Sequence, residues 1–431
     1  MTDLLVTVFK QVKGMSSLQA SIIQTVFYGA YFLAPIPAAL IIKKFGYKVG
    51  GVTGLLLYAA GAFLCYPASQ ADSFSFFLTA FYVFAFGCAM IETSVAPFIL
   101  SMGPKETATQ RINLAQSFNP VGLLAGIFLG KLVILKHLTP KAEMAALEGD
   151  PLAEAQSHDL GLVVTAYAIV GIVALVIAVA IVLKKFPTIS EEQNHSSVGA
   201  SIGRLLKNKN YLFSVVAQFF YVAAQIGIWT FIVPYVMASG AGYDNSNDAA
   251  NFYIYSLFCF VFMRFVYTGL MKFIDPARLL TAAMVVTCIF TLLTINSAGM
   301  LGVISVVMIS ATMSLGFPTI YGLGLTGLEG DDKKIGGSGI IMAIVGGAIL
   351  VPLQGFMNDG ELPTGDFILD KILNTLFTPV KAVFDSIGFE YSAANSYYMP
   401  LVCFVIIAIY GVVAHQKEEE TGIIHETNDA E

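Results

Sequence analysis

Two carboxyl side chains, Asp3 and Glu92, fall inside apolar stretches of the sequence, whereas the other acidic residues lie in loops, in tails or at the ends of such stretches. A charged group at the centre of a bilayer costs about 2.5–3.5 kcal/mol, so it is retained for a reason or becomes neutral. A carboxyl group in a low-dielectric site favours its neutral form and can bind a proton. The two residues therefore indicate proton exchange by a group whose charge depends on the side it faces.

Each of the two acids also has a plainer interpretation. Glu92 lies in the middle of its apolar stretch, five residues before Pro97. There it could instead make a purely structural polar contact with a neighbouring helix. Asp3 is an ordinary terminal residue if the chain begins at Met1, but it lies near the membrane midplane if half a helix precedes it. We favour the functional interpretation for Glu92 and leave both interpretations of Asp3 open.

Arg264 is a third charged residue within an apolar stretch, and it lies toward one end of that stretch. Long basic side chains near helix ends commonly extend their charge toward the interface. We therefore expect Arg264 to reach the interface in this way or to pair at a gate, and we prefer this to a contact with substrate.

Amide and aromatic side chains within apolar stretches are the groups that recognise sugars, through hydrogen bonds and ring faces. The spacing of Tyr221, Gln225 and Trp229 places them on one helix face. Such an aromatic stripe is more often packing, but the glutamine within it favours a lined cavity, and both interpretations stay open. The expected substrate-binding residues are Gln24, Gln116, Asn119, Tyr221, Gln225 and Trp229, and we also considered Gln218, Gln354, Phe27, Tyr28 and Tyr31.

The sequence does not predict a metal site or a bound cofactor other than the coupling proton. The cysteines lie in apolar runs without the spacing of a metal or redox motif, and we interpret them as buried packing residues. A membrane enzyme would need clustered catalytic groups, whereas only Asp3, Glu92 and Arg264 carry charge within the apolar stretches. We therefore expect a protein that is not an enzyme.

Composition identifies an integral membrane protein. Of the 431 residues, 56% are hydrophobic and 12% are charged, with a mean hydropathy of +0.75. A soluble domain carries roughly 25% charged residues. The formal net charge of -6 argues against a nucleic-acid partner.

Apolar runs of about 20 residues, the length needed to cross a bilayer, predict eleven complete transmembrane helices. Residues 1–11 are apolar but too short to cross, so we expect them to be the second half of an incomplete first helix. A total of twelve would place both termini on one side. The complete spans are expected near 17–42, 49–68, 73–102, 112–135, 160–183, 211–238, 251–271, 279–297, 300–327, 336–357 and 396–414.

The loops divide the chain and orient it. If residues 185–210 are cytoplasmic, most of the 23 basic residues also fall on the cytoplasmic side, as the positive-inside rule requires. We expect a cell-membrane protein with a cytoplasmic C-terminus and no obligatory partner subunit, that is, a monomer. The expected domains are a first helix bundle at 1–183, a linker at 184–210, a second bundle at 211–415 with an outer loop at 359–395, and a tail at 416–431.

The two bundles show faint internal similarity. Pro97 and Gly103 match Pro318 and Gly324, at an offset within 221–225 residues. Together with six spans on each side of the linker, this predicts two parallel repeats, the plan of major facilitator transporters, with substrate bound between them near the midplane.

The outer loop at 361–395 has apolar residues at helical spacing and charged residues on the opposite side. This pattern is typical of one or two short interfacial helices on the outer leaflet. An ordinary structured loop that packs on the helix ends explains it equally well.

Several motifs resemble the fucose permease family over nearly the whole chain. They are ETSVAPF at 92–98, GP at 103–104, RINLAQSFN at 111–119, AQFFYVAAQ at 217–225 and FPTI at 317–320. Pro35, Pro37 and the pair Lys43 and Lys44 add to the match. The stretch from Glu92 to Asn119 is its most specific part.

The resemblance implies a proton-coupled sugar symporter of the major facilitator superfamily. Family members import L-fucose or, in sister groups, glucose, galactose or N-acetylglucosamine. Asp3 would correspond to the family's proton-coupling aspartate, Glu92 to its second intramembrane acid, and the stretch ending at Gln116, with Asn119 just beyond, to part of its sugar cavity. The chain departs from the family at Ala96, where members have asparagine.

The sequence thus predicts a monosaccharide:proton symporter that works by alternating access, with L-fucose as the first candidate. Three alternatives remain, namely a galactose/glucose transporter of the same family, an uncoupled sugar facilitator and a drug/proton antiporter. Alkalinisation of the medium on sugar addition separates coupled from uncoupled transport. The amide-rich set above disfavours the antiporter, and the absence of an appended signalling domain disfavours a membrane sensor.

Overall fold

The computed structural model describes residues 26–71, 73–144, 146–185, 197–361 and 368–420, and these residues form helices joined by turns, with no β-strand. The all-helical expectation is confirmed. Asp3, Gln24 and the short apolar run at 1–11 lie outside the described residues.

Ten helical runs among the described residues are long and apolar enough to cross a membrane. The first run, Val26–Gln70, has 45 residues and covers parts of two expected spans. At 1.5 Å per residue it would be about 67 Å long if straight, which is twice the thickness of a hydrocarbon core. It is not straight, because Gly46 has φ 84° and ψ 168° and interrupts the helix between the two expected spans.

The residues divide into two compact units, each made mainly of one half of the sequence. The first unit consists of 1–108, 118–211 and 325–342, and the second of 109–117, 212–324 and 343–431. Each unit therefore contains one segment from the other half of the sequence. The two segments, 109–117 and 325–342, correspond to each other at the offset seen in the sequence repeat.

The first unit is built on a pair of long helices, α1 and α2, which pack backbone to backbone. A side chain at Gly87 would meet the backbone of Tyr58 and Gly54, and one at Gly61 would meet the backbone of Phe84. Small residues allow membrane helices to approach this closely. The helices of this unit are α1 (Pro35–Gln70), α2 (Phe74–Ser101), α4 (Phe118–Gly130) with a π turn at Lys131–Leu135, α5 (Lys141–Met144), α6 (Asp150–Leu183), α7 (Val198–Leu205) and α13 (Gly330–Met342).

The second unit contains the remaining helices together with α3 from the first half of the sequence. These are α3 (Ala108–Gln116), α8 (Lys209–Ala238), α9 (Ser246–Leu270), α10 (Pro276–Asn296), α11 (Gly299–Met313), α12 (Gly316–Leu325), α14 (Gly346–Asp359), α15 (Ile368–Ser386) and α16 (Tyr398–Glu420).

Several spanning runs contain a break in the helix. The breaks that concern the polar residues below fall at Ser117, between α3 and α4, at 314–315, between α11 and α12, and at Ala343–Val345, between α13 and α14. A break frees backbone carbonyl groups, which are tolerated at membrane depth only where protein groups bind them. The breaks therefore mark places where side chains must reach the main chain.

The outer loop forms one helix, α15, rather than a pair, although Pro379 lies inside it. Phe377 stacks on Phe356 of α14 with ring centroids 5.7 Å apart, and Phe384 lies 6.2 Å from the same ring. Leu376 and Val383 remain exposed on another face. The helix thus packs on a helix end, as the loop interpretation requires, and also keeps an uncovered apolar face.

Candidate functional site

In the second unit, α8 carries the aromatic and amide stripe that the sequence indicated. Tyr221 is fully buried and donates its hydroxyl to the carbonyl oxygen of Met313 over 2.9 Å. Trp229, two turns along, packs its ring against the edge of Phe260 of α9 at 5.1 Å. Gln225 lies between them and is partly buried. The stripe therefore faces α9 and the broken run α11–α12.

Arg264 of α9 is buried inside the second unit, with 4% of its surface exposed. Its Nε donates to the carbonyl oxygen of Ser314 over 2.7 Å, and its Nη1 donates to the carbonyl oxygen of Gln116 over 3.0 Å. Its guanidinium also lies 4.7 Å from the centre of the Phe260 ring. Both carbonyl groups belong to helix breaks, so Arg264 does not extend toward the interface but binds the main chain where two helices are interrupted.

The short helix α3 is fastened into the second unit by its polar side chains. Asn113, which is fully buried, donates to the Thr319 hydroxyl of α12 over 3.1 Å. Gln110 donates to the carbonyl oxygen of Thr268 over 3.1 Å. Asn113 was not among the predicted site residues, although it lies within the RINLAQSFN motif that carried the family resemblance.

The predicted residues Gln116 and Asn119 fall in different units. Gln116 ends α3 in the second unit, where its backbone carbonyl binds Arg264. Asn119 lies on α4 in the first unit, where its side chain is exposed. The break at Ser117 separates the two residues, so the sequence motif does not form one continuous helix face.

Glu92 lies in the first unit, partly buried in the middle of α2. One turn before it is Cys88, whose Sγ accepts a hydrogen bond from the Tyr31 hydroxyl over 3.1 Å. The Phe27 ring packs against Tyr31 at 5.1 Å and against Tyr28 at 5.8 Å. A thiol that accepts a hydrogen bond from a phenol therefore lies one helical turn before the acid.

Several fully buried polar atoms of the second unit have no hydrogen-bond partner among the described residues. Both amide atoms of Gln218 and of Gln354 belong to this set, as do the indole nitrogen of Trp229 and the hydroxyls of Ser310 and Ser314. Gln354 lies directly over Gly227 of α8, where a larger residue would collide with its amide. Because burying an unpaired amide is costly, these groups are candidates for contacts with a polar solute.

Asp159 was expected at a span end, and the structure buries it completely in the first unit. One carboxylate oxygen accepts from the Thr139 backbone N–H over 3.1 Å and from the Thr139 hydroxyl over 3.0 Å. The Nδ1 of His158 lies 3.1 Å from the same oxygen. Asp159 therefore anchors the loop before α6, and only the adjacent histidine could have indicated this.

A row of ion pairs joins α13 to other elements of the first unit. Lys43 lies 3.0 Å from Asp331, and Arg204 of α7 binds both carboxylate oxygens of Asp332. Lys105 lies 2.6 Å from Glu329, just before α13. These pairs fasten a segment from the second half of the sequence to the first unit.

Within the described residues, no group of three or more histidine, cysteine, aspartate or glutamate side chains is placed to hold a metal ion. The candidate residues are instead a carboxyl group, Glu92, in the first unit and, separately, a stripe of amide, indole and phenol groups on α8 of the second unit.

Spanning helices with helix breaks, buried amides and an intramembrane acid define a polytopic membrane transporter. The family model of the Major Facilitator Superfamily matches residues 2–353. The chain belongs to that superfamily and, within it, to the fucose permease family that its motifs resemble.

The relatives support this placement across the whole length. The chain is 37% identical over 422 residues to an L-fucose-proton symporter of Haemophilus influenzae, covering 95% of this chain and 91% of that one. It is 35% identical over 377 residues to an L-fucose-proton symporter of Escherichia coli, covering 85% of each. A glucose/galactose transporter of Brucella abortus is 28% identical over 418 residues, covering 97% of this chain and 90% of that one.

Solved structures agree with the fold. A crystal structure of a variant of the Escherichia coli fucose:proton symporter matches with a TM-score of 0.82 at 31% identity, covering 96% of this chain and 93% of that one. A proton:xylose symporter bound to 6-bromo-6-deoxy-D-glucose matches with a TM-score of 0.62 at 12% identity, covering 95% and 89%, which concerns the fold alone.

Proposed function

We propose that this protein is a proton-coupled symporter that imports a monosaccharide, with L-fucose as its substrate. The observation that carries the proposal is the 37% and 35% identity to two L-fucose-proton symporters over most of the chain. The protein is a transporter and not an enzyme. A glucose/galactose transporter is the second candidate, because such relatives also align with nearly the whole chain, at 28% identity.

The proton is carried by Asp3 and Glu92 in this proposal. Glu92 supports it through its position inside α2, where ionisation in a medium of low dielectric constant is costly. Protonation from outside neutralises the carboxyl and lets the loaded carrier reorient, and release of the proton inside resets it. Asp3 takes the same role by its place in the family motif.

The sugar is bound by amide hydrogen bonds and by aromatic ring faces. Gln225 and Trp229 on α8 supply both kinds of contact, and the partnerless indole nitrogen of Trp229 can donate to a sugar hydroxyl. Tyr221 serves to position α8, since its hydroxyl is already engaged by Met313. Gln24, Gln116 and Asn119 complete the proposed set.

Each unit contains a segment from the other half of the sequence. The segment 109–117 is bonded into the second unit through Asn113 and the Gln116 carbonyl, and 325–342 is bonded into the first through Asp331 and Asp332. In this proposal the carrier works by alternating access and acts as a monomer, with the linker and the C-terminus on the cytoplasmic side of the cell membrane.

The test is uptake of labelled L-fucose, D-galactose and D-glucose into cells that carry the full-length gene, with and without a pH gradient. We expect concentrative uptake of L-fucose, its loss when the gradient is collapsed, and alkalinisation of a weakly buffered medium on sugar addition. Glu92→Gln should abolish accumulation while leaving sugar exchange across the membrane. Preferential accumulation of galactose or glucose would select the second candidate, and accumulation that ignores the gradient would overturn proton coupling.

A further inference from the structure

The Trp229 indole is oriented by the packing of its ring and not by a hydrogen bond. Its nitrogen is buried and has no hydrogen-bond partner among the described residues. The Phe260 ring of α9 lies 5.1 Å from the indole and is inclined to it by 71°. Two aromatic rings in this arrangement attract each other, because the positive edge of one meets the negative face of the other. The direction of the indole N–H therefore depends on the ring that packs against it.

The Phe260 ring is fixed in turn by Arg264. Phe260 is 1% exposed, and Arg264 lies one helical turn after it, so both side chains share one face of α9. The guanidinium carbon lies 4.7 Å from the ring centre. A cation on an aromatic face is attracted by the ring quadrupole, most strongly where water is excluded. Because Arg264 also donates to the carbonyl groups of Ser314 and Gln116, its head group cannot leave the ring without breaking hydrogen bonds.

The position of α8 itself does not depend on Phe260. Tyr221, two turns before Trp229, donates its hydroxyl to the Met313 carbonyl over 2.9 Å. Its ring lies so close to Gly316 that a side chain there would collide with it. Tyr221 thus packs α8 on the break between α11 and α12. A change at Phe260 should therefore release the indole without releasing the helix that carries it.

We propose that Phe260 is a positioning residue for sugar binding: it keeps the Trp229 indole in the direction that presents its N–H to a sugar hydroxyl, and Arg264 keeps Phe260 in place. The inference rests on the proposed function, because Trp229 contacts a sugar only if the protein binds one. Phe260 itself does not touch the sugar in this proposal. It has no polar atom and was not in the amide and aromatic set that the sequence indicated.

The first measurement needs no sugar. Trp229 is the single tryptophan of the chain, so the fluorescence of the purified full-length protein in lipid nanodiscs reports on this one indole. Phe260→Leu should lower the anisotropy of the emission, because an indole without its packing partner moves on the picosecond-to-nanosecond timescale. Arg264→Lys retains the Phe260 ring but loses the planar group that stacks on it, and should lower the anisotropy by a smaller amount. This variant decides the question if Phe260→Leu does not fold.

The second measurement is the KM and maximal rate of L-fucose counterflow in proteoliposomes. Phe260→Leu should raise KM about three- to tenfold, the effect of losing one aromatic contact, and change the maximal rate by less than about twofold. A residue that only stabilised the fold would act differently. Its replacement would reduce the amount of active protein, and with it the maximal rate, and would leave KM unchanged.

Phe213→Leu is the matched control, because Phe213 lies on α8 and packs on Tyr410 with the rings 5.3 Å apart and inclined by 72°. It should alter neither the anisotropy nor KM. Unchanged anisotropy in Phe260→Leu or in Arg264→Lys would overturn the proposal, and so would an unchanged KM in Phe260→Leu. If wild-type protein shows no sugar-dependent counterflow, the proposed function fails, whereas the anisotropy measured without sugar still decides whether Phe260 and Arg264 fix the indole.

Discussion

Arg264 donates a hydrogen bond to the backbone carbonyl of Gln116, a residue 148 positions earlier in the sequence. Gln116 directly precedes the helix break at Ser117, and a second carbonyl beside a break, that of Ser314, accepts from the same guanidinium. One arginine side chain thus donates hydrogen bonds to the main chain at two helix breaks. Both breaks lie in the second unit, although they come from different halves of the sequence.

Replacement of Arg264 should therefore affect turnover more than sugar recognition. Arg264→Lys keeps the charge, but a lysine ammonium lacks the planar fork that reaches both carbonyl groups. We expect the maximal rate of L-fucose uptake to fall about tenfold or more, with a smaller change in KM, since one lost bond of this kind is worth about 1.5–3 kcal/mol. Initial-rate uptake in proteoliposomes gives both constants.

Arg278→Lys is the matched control, because Arg278 lies on α10 of the same unit and donates to His415 at an exposed position. It should leave both constants near the wild-type values. A large rise in KM with an unchanged maximal rate for Arg264→Lys would instead make Arg264 a substrate contact.

Hydropathy was enough to predict an all-helical membrane protein, because burial in lipid is a property of each stretch of sequence by itself, whereas the expected number of eleven complete spans stays a prediction. The stripe of Tyr221, Gln225 and Trp229 also followed from spacing alone. The helix breaks at Ser117 and at 314–315 did not, because each depends on a side chain that is distant in sequence. Two of the predicted residues, Asp3 and Gln24, lie outside the described residues and stay predictions.

Two structural features could not be predicted from the sequence, and the reason is the same for both. Asp159 was counted among residues at span ends, yet it is fully buried because Thr139 supplies its hydrogen bonds. Each of the segments 109–117 and 325–342 packs in the unit built mainly from the other half of the sequence, while the expected domain boundaries stay a prediction. Local pattern shows which side chains are polar, but only the fold shows what they bind.

The ion pair between Lys43 and Asp331 should stabilise the packing of α13 in the first unit. Only 9% of the Asp331 side chain is exposed, so Lys43→Ala leaves a largely buried carboxylate without its partner. We expect this to cost about 2 kcal/mol, because removing one member of a buried pair is more harmful than removing both. The measurement is the thermal unfolding temperature of the purified protein, and the double substitution Lys43→Met with Asp331→Asn should recover most of the loss.

The neighbouring pair of Lys105 and Glu329 supplies the control, because its side chains are 84% and 71% exposed. The hydrogen bond from Lys105 lowers the pKa of Glu329 below its ordinary value. A carboxyl whose folded-state pKa is lowered contributes stability above its unfolded pKa and loses it as pH falls through the folded value. Since water screens so exposed a pair, Glu329→Gln should scarcely change the unfolding temperature at neutral pH. An effect as large as that of Lys43→Ala would contradict this ranking by burial.

Gly87 should be intolerant of even one added carbon. A methyl group there would meet backbone atoms of Tyr58 and Gly54, and backbone cannot move aside as a flexible side chain can. Gly87→Ala should therefore force α1 and α2 apart and lower stability by about 1–3 kcal/mol, the usual cost of overpacking. The readout is the fraction of protein that remains monodisperse in detergent after heating.

Gly161 of α6 serves as the control for this prediction, because a carbon added there would have no heavy atom within 4 Å. Gly161→Ala should be neutral or stabilising, because alanine favours a helix over glycine by about 1 kcal/mol. If Gly87→Ala proved as stable as Gly161→Ala, the close backbone contact of α1 and α2 would not be a feature of the protein in the membrane.

The uncovered face of α15 should lie against lipid, while its aromatic face holds the helix on α14. Val383 is 56% exposed, whereas Phe384, the next residue, packs against the Phe389 ring at 4.7 Å. The fluorescence of a tryptophan that replaces Val383 should therefore be quenched by lipids brominated near the headgroup. The fluorescence of a tryptophan that replaces the exposed Asp385 should not be quenched. The fluorescence of the single native tryptophan, Trp229, is the background in this experiment, and it is measured with wild-type protein. Equal, weak quenching at the two positions would favour an ordinary water-exposed loop.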